Sequence, residues 1–122
     1  PEMEKRSFIC TDDYAKWFSP VWTDISGQLR RNHPAPYPLE IPRRLIRMFS
    51  FAGDTVVDPF AGTGTTALAA LETGRNSINV EIEPSYLEIM DKRLQSEHLS
   101  GIIEVEKTVP KIRIPVSQSA AE

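Results

Sequence analysis

The chain has a single cysteine, Cys10, and only two histidines, His33 and His98, which lie far apart. An internal disulfide is excluded, and no zinc-type ligand spacing can be drawn. No apolar run approaches the roughly 20 residues that a bilayer-spanning helix requires, and the opening Pro1-Glu2-Met3-Glu4-Lys5-Arg6 has nothing of a secretory leader. These absences predict a soluble, cytoplasmic protein with no membrane partner. An excess of positive charge is missing too: 14 Lys and Arg stand against 17 Asp and Glu. That balance argues against a chain that wraps nucleic acid over its whole surface and leaves only local patches for such a contact. Internal repeats and low-complexity blocks are absent. The 122 residues leave room for one core, which buries roughly two thirds of the unfolded surface.

What is present is an alternation of helix and strand signals. Residues 39–50 place Ile41, Leu45, Met48 and Phe49 at helical spacing, with Arg43, Arg44 and Arg47 displaced from that stripe. Pro42 sits in the first turn of this helix, where its missing amide has no intrahelical partner. Gly53-Asp54 turns the chain into a strand beginning Thr55-Val56-Val57, read as buried. A helix over 64–72 buries Ala67, Leu68 and Leu71 and stops at Gly74, a residue suited to a left-handed helix end. Residues 76–82 read as a second strand. Pro84 opens a third helix with Tyr86, Leu87, Met90 and Leu94 on its inner side, ended by Gly101. The order predicts an α/β fold with a parallel strand pair flanked by helices.

Three segments follow from this reading. Residues 1–22 form an amino-terminal extension whose Phe8, Tyr14, Trp17, Phe18 and Trp22 are expected to pack onto something, with a short helix over 12–18 ended by Pro20. Residues 23–99 hold the α/β portion, entered through a proline-rich loop at 23–38. Residues 100–122 form a partly flexible arm in which Ile102, Ile103, Val105, Ile112, Ile114 and Val116 alternate with charges.

Function concentrates in Asp58-Pro59-Phe60-Ala61-Gly62-Thr63-Gly64-Thr65-Thr66. Small residues there let backbone amides approach a ligand. Gly62-x-Gly64-x-x-Ala67 fits the dinucleotide fingerprint, and Glu81 lies where an acidic residue would meet a ribose. A kinase-type phosphate loop is disfavoured because no lysine follows the second glycine. A nicotinamide or flavin site remains a rival, and so does a glycine turn that binds nothing. Asp58 argues against the pyrophosphate, since its carboxylate would repel one, yet suits the ammonium and sulfonium of S-adenosylmethionine.

That string, followed by Gly74-Arg75-Asn76 and by Val80-Glu81-Ile82-Glu83-Pro84-Ser85-Tyr86, resembles the carboxy-terminal part of the DNA amino-methyltransferases of the beta subgroup. So does His33-Pro34-Ala35-Pro36-Tyr37-Pro38 followed by the amphipathic helix. The resemblance covers residues 17–97 and implies a partial Rossmann-like, S-adenosylmethionine-dependent methyltransferase fold. It implies that Asp58, Phe60, Ala61, Gly62, Gly64, Thr65 and Thr66 line the methionine end of the cofactor. Glu81 would hold the ribose, Ile82 would lie against the adenine, and the 33–38 loop with His33 and Tyr37 would close over the methionine carboxylate.

The activity implied is methylation of an exocyclic amine of adenine or cytosine in DNA, as in restriction-modification systems. Such enzymes carry an Asp/Ser/Asn-Pro-Pro-aromatic tetrapeptide at the catalytic centre, and this chain contains no Pro-Pro pair. Ser19-Pro20-Val21-Trp22 and Asp58-Pro59-Phe60 match it only in part. No catalytic residue is therefore assigned here, and the chain is expected to be a fragment, inactive alone, that begins late in the enzyme. Its expected partners are DNA, in the complete enzyme, and either the missing amino-terminal half or a second copy paired through the exposed sheet edge. A non-catalytic cofactor-binding or interaction module is the alternative, with an NAD-dependent oxidoreductase fragment behind it.

Overall fold

The computed structural model of the chain describes residues 2–27 and 38–96. The expectations for His33 and Tyr37, for the arm at 100–122 and for the helix end at Gly101 lie outside the described residues. Within them the order is α1 (Glu2–Ser7), α2 (Thr11–Trp17), α3 (Glu40–Phe49), β1 (Thr55–Asp58), α4 (Thr65–Glu72), β2 (Asn76–Asn79) and α5 (Pro84–Ser96). β1 and β2 pair in parallel, with Thr55 opposite Asn76, Val57 opposite Ile78 and Asp58 opposite Asn79. The α/β pattern and the parallel pair match the sequence expectation; α1 is an element that the sequence did not announce.

α4 is the central element. Ala67, Leu68, Ala69 and Ala70 are all buried, and the small alanines let α3 and both strands approach it closely. On one side Ala69 and Ala70 meet Ile46 of α3, with Leu39 and Val56 packed around them. On the other, Ala61 and Ala67 meet Met90 of α5, with Leu87 and Leu94. The end of α4 is well made: the Arg75 amide donates to the Ala70 carbonyl at 2.8 Å and the Gly74 amide to the Leu71 carbonyl at 3.2 Å, with Gly74 at φ 76°. This paired closure needs a left-handed residue, which glycine adopts without a Cβ penalty.

Three details differ from expectation, each for a physical reason. The buried residues of α3 are Pro42, Arg44 and Ile46, while Leu45 and Phe49 are exposed. Arg44 is buried because its charge is matched: it donates to both oxygens of Asp24 at 3.0 and 2.6 Å and to Glu40 at 2.8 Å, between the faces of Trp17 and Trp22. Next, β2 stops at Asn79 rather than residue 82, because β1 turns away after Asp58. Val80 still donates to the Asp58 carbonyl at 2.9 Å, and its own carbonyl then accepts from Ala61 at 3.0 Å. Finally, β1 is not buried on both faces. The helices cover one side of the two strands, and Val57, Ile78 and Val80 remain more than half exposed.

The amino-terminal segment up to residue 27 is tied to this unit. Ser7 Oγ accepts from the Ala52 amide at 2.9 Å, Arg47 donates to the Phe8 carbonyl at 2.9 Å, and Arg75 donates to the Arg6 carbonyl at 3.1 Å. The guanidinium of Arg44 and the ammonium of Lys16 hold the Asp24 carboxyl well below the usual carboxylate range, and burial only partly opposes them. Burial raises the Glu40 carboxyl, but hydrogen bonds from Arg44 and Arg43 outweigh it and leave the group lowered. Arg75 is buried without a carboxylate in hydrogen-bond contact, donating instead to the Ser50 hydroxyl and carbonyl and to the Thr73 carbonyl. That burial, and the charge of Arg47 nearby, pull its pKa down.

Candidate functional site

The carboxyl ends of parallel strands are where an open α/β sheet places its ligand. Here β1 ends in Asp58, and the chain two residues beyond β2 carries Glu81. Between Asp58 and α4 runs the glycine loop, with Gly62 at φ 53° and Gly64 at φ 82°. No apolar side chain could follow this path without strain.

The loop is closely hydrogen-bonded. The Phe60 amide donates to Asp58 Oδ1 at 3.0 Å, the Ala61 amide to the Val80 carbonyl at 3.0 Å, the Gly62 amide to Glu81 Oε2 at 2.8 Å and the Gly64 amide to the Ala61 carbonyl at 2.9 Å. Glu81 Oε1 accepts in addition from the Glu83 amide at 2.8 Å. The expectation that these amides approach a ligand is therefore revised. Four of them already have protein acceptors, so the glycines contribute room rather than donors. A cradle for pyrophosphate needs free N–H groups, and this loop has spent most of its own.

Asp58, Phe60, Gly62, Glu81 and Ile82 come together at this end of the sheet. A Cβ built on Gly62 meets nothing within 4 Å. Phe60, two residues from Asp58 in the chain, and Ile82, next to Glu81, are 88% and 92% exposed. Ala61, Gly64 and Thr65 turn the other way, toward α5. Ala61 is buried against Met90, and a Cβ on Gly64 would stand 2.5 Å from Met90 Cγ. Thr65 is buried and its hydroxyl accepts from Arg93 Nη1 at 3.0 Å. Thr66 is half-buried in the first turn of α4.

Met90 and Arg93 are the contacts that sequence reasoning missed. The signal was present, since Arg93 follows Met90 by three residues and so shares the helix face that Met90 was expected to bury. The arginines of α3 are a second revision. Arg44 is buried in its carboxylates, and Arg43 is held by Glu40 and Glu72, so neither stands free on an exposed face. Arg47 lies over the Trp17 ring at 5.1 Å. Among the described residues, no group of three His, Cys, Asp or Glu side chains could hold a metal ion, and no helix is long and apolar enough to cross a membrane.

Residues 2–92 match the DNA methylase family. The chain is 52% identical over 85 residues to the type II methyltransferase M.MjaI of Methanocaldococcus jannaschii, covering 65% of this chain and 27% of that protein. It is 38% identical over 103 residues to the type II methyltransferase M.BglI of Bacillus subtilis, covering 84% of this chain and 30% of that one. Among solved structures, TTHA0409 of Thermus thermophilus, complexed with S-adenosyl-L-methionine, matches with a TM-score of 0.72 at 40% identity, over 87% of this chain and 41% of that one. The chain thus spans under a third of these two curated relatives.

Proposed function

We propose that this chain, which belongs to the DNA methylase family, is the S-adenosylmethionine-binding part of an enzyme that methylates an exocyclic amine of adenine or cytosine in DNA. The observation that carries the reading is the pairing of Asp58 and Glu81 with a loop most of whose amides already have protein acceptors. Two carboxylates and few free donors repel a pyrophosphate and favour a cationic ligand that contains no phosphate. The open space over Gly62 and the exposed Phe60 fit the methionine end of that ligand, and the exposed Ile82 fits an adenine lying flat against it. An ionised carboxylate has about four acceptor positions, so Glu81 can bind two backbone amides and still accept from a ribose diol. When bound, the cofactor supplies a methyl group activated by its sulfonium charge. The residues of this chain would hold the cofactor: Asp58 would face its cationic end, and Glu81 would fix the loop and the ribose together.

The target base must leave the duplex before its amine can be reached. In this reading the group that accepts from that amine, and the aromatic that stacks on the base, come from residues outside these 122. The apolar face formed by Val57, Ile78 and Val80 supports the same division, because two strands covered on one side need a cover on the other. We assign that cover to helices of the complete enzyme, and the complete enzyme to the cytoplasm, where DNA is available.

Calorimetry with the full chain tests the cofactor assignment. Saturable binding of S-adenosylmethionine and none of NAD is expected. Tight NAD binding without a response to S-adenosylmethionine would overturn it in favour of an oxidoreductase fragment.

A further inference from the structure

We infer that Arg93 is a positioning residue for the cofactor loop, acting through Thr63 and Thr65 on either side of Gly64; this rests on the cofactor reading above. Arg93 Nη1 donates to Thr65 Oγ1 at 3.0 Å and reaches the Thr63 carbonyl at 3.5 Å. Both threonines are buried. One turn earlier on the same face of α5, Met90 fills the space behind Gly64 so closely that no Cβ fits there. The loop is thereby held from two sides: from the β2 end by Val80 and Glu81, and from α5 by Met90 and Arg93.

The helix dipole argues against a role for Arg93 in steadying α4. Thr65 is the first residue of that helix, and Gly64 gives it no side-chain cap. A guanidinium beside a helix amino end opposes the helix dipole, which prefers negative charge there. What the guanidinium gains is the Thr65 hydroxyl and the Thr63 carbonyl, which together define the direction of the chain through Gly64 at φ 82°. Because β2, Glu81 and α5 follow one another directly in sequence, the stretch 76–96 both contacts the ligand side of the loop and braces its hidden side. Cofactor affinity is then set partly by a residue on the side of the loop turned away from the cofactor.

The test uses the full chain with Arg93→Ala, Thr65→Val and the double variant, measured by calorimetry with S-adenosylmethionine and by hydrogen exchange of the 62–66 amides without ligand. Each single change should weaken binding by about ten-fold, equivalent to about 1.4 kcal/mol, and the double change should weaken it little further. Exchange at 62–66 should quicken in all three, and Arg93→Lys should recover part of both effects. Should Arg93→Ala fold poorly, Thr65→Val, which is nearly isosteric, and Arg93→Lys carry the test alone. Unchanged loop exchange and affinity in variants that fold would overturn the inference, as would strictly additive losses. If the unaltered chain fails to bind S-adenosylmethionine, the cofactor reading fails, while loop exchange still decides the role of Arg93.

Discussion

Glu81 anchors the loop and is the proposed ribose acceptor, and its replacement separates the two roles. The carboxylate accepts from the Gly62 amide through Oε2 and from the Glu83 amide through Oε1, both at 2.8 Å. A hydrogen bond to a charged group contributes about 1.5–3 kcal/mol, the lower end applying where solvent competes. The Gly62 bond is partly buried and the Glu83 bond is exposed. Glu81→Ala should therefore cost about 2 kcal/mol of stability from the Gly62 bond, with little more from the Glu83 bond. Affinity for S-adenosylmethionine should fall further, by roughly 10–150-fold, since the ribose acceptor is lost as well. Glu81→Gln sharpens the comparison. Its one carbonyl oxygen can serve either amide but not both, and its NH2 faces a donor, so loop and ligand should suffer together, though less than in the alanine variant. Urea unfolding gives the stability change and calorimetry the affinity. Glu81→Ala with unaltered stability would refute the claim that the carboxylate anchors the loop. Unaltered affinity would refute its contact with the ribose.

The two loop glycines should respond differently. Gly62→Ala has open space for its methyl and should cost about 1–2 kcal/mol from the left-handed backbone alone, while losing cofactor affinity because the methyl enters the ligand's space. Gly64→Ala adds a clash with Met90 worth about 1–3 kcal/mol to the same backbone penalty, and Met90→Ala in the same chain should recover part of it, as urea midpoints will show. A third prediction concerns acid. The Asp24 carboxyl is held below its unfolded value of about 3.9 by Arg44 and Lys16, so its contribution is complete above that value and disappears as pH falls toward the folded one. Asp24→Asn should lower stability at neutral pH and flatten the acid limb of a stability curve; parallel curves for the two proteins would contradict the ion-pair assignment.

Several elements were legible because local chemistry decides them. Pro42 and the Glu40-to-Arg47 charge order mark α3, the alanine-rich run and Gly74 mark α4, and Pro84 opens α5. The candidate site stood out for a related reason. Asp58, Gly62, Gly64 and Glu81 are residue types whose charge or backbone freedom carries information without reference to neighbours. The burial of Arg44 was not legible, because its charge was weighed without Asp24, twenty residues away, which only the packing of Trp17 and Trp22 brings within reach.

The sequence by itself determined the order of helices and strands from α2 onward and the place of the glycine loop with its two acidic residues, because these follow from short-range periodicity, backbone permissiveness and charge. Only the tertiary structure decided that four of the loop amides are already spent, that Gly64 is required by Met90 and that Arg93 braces the loop from behind. Those facts depend on which side of a segment faces another, and sequence spacing cannot state that until the chain has closed on itself.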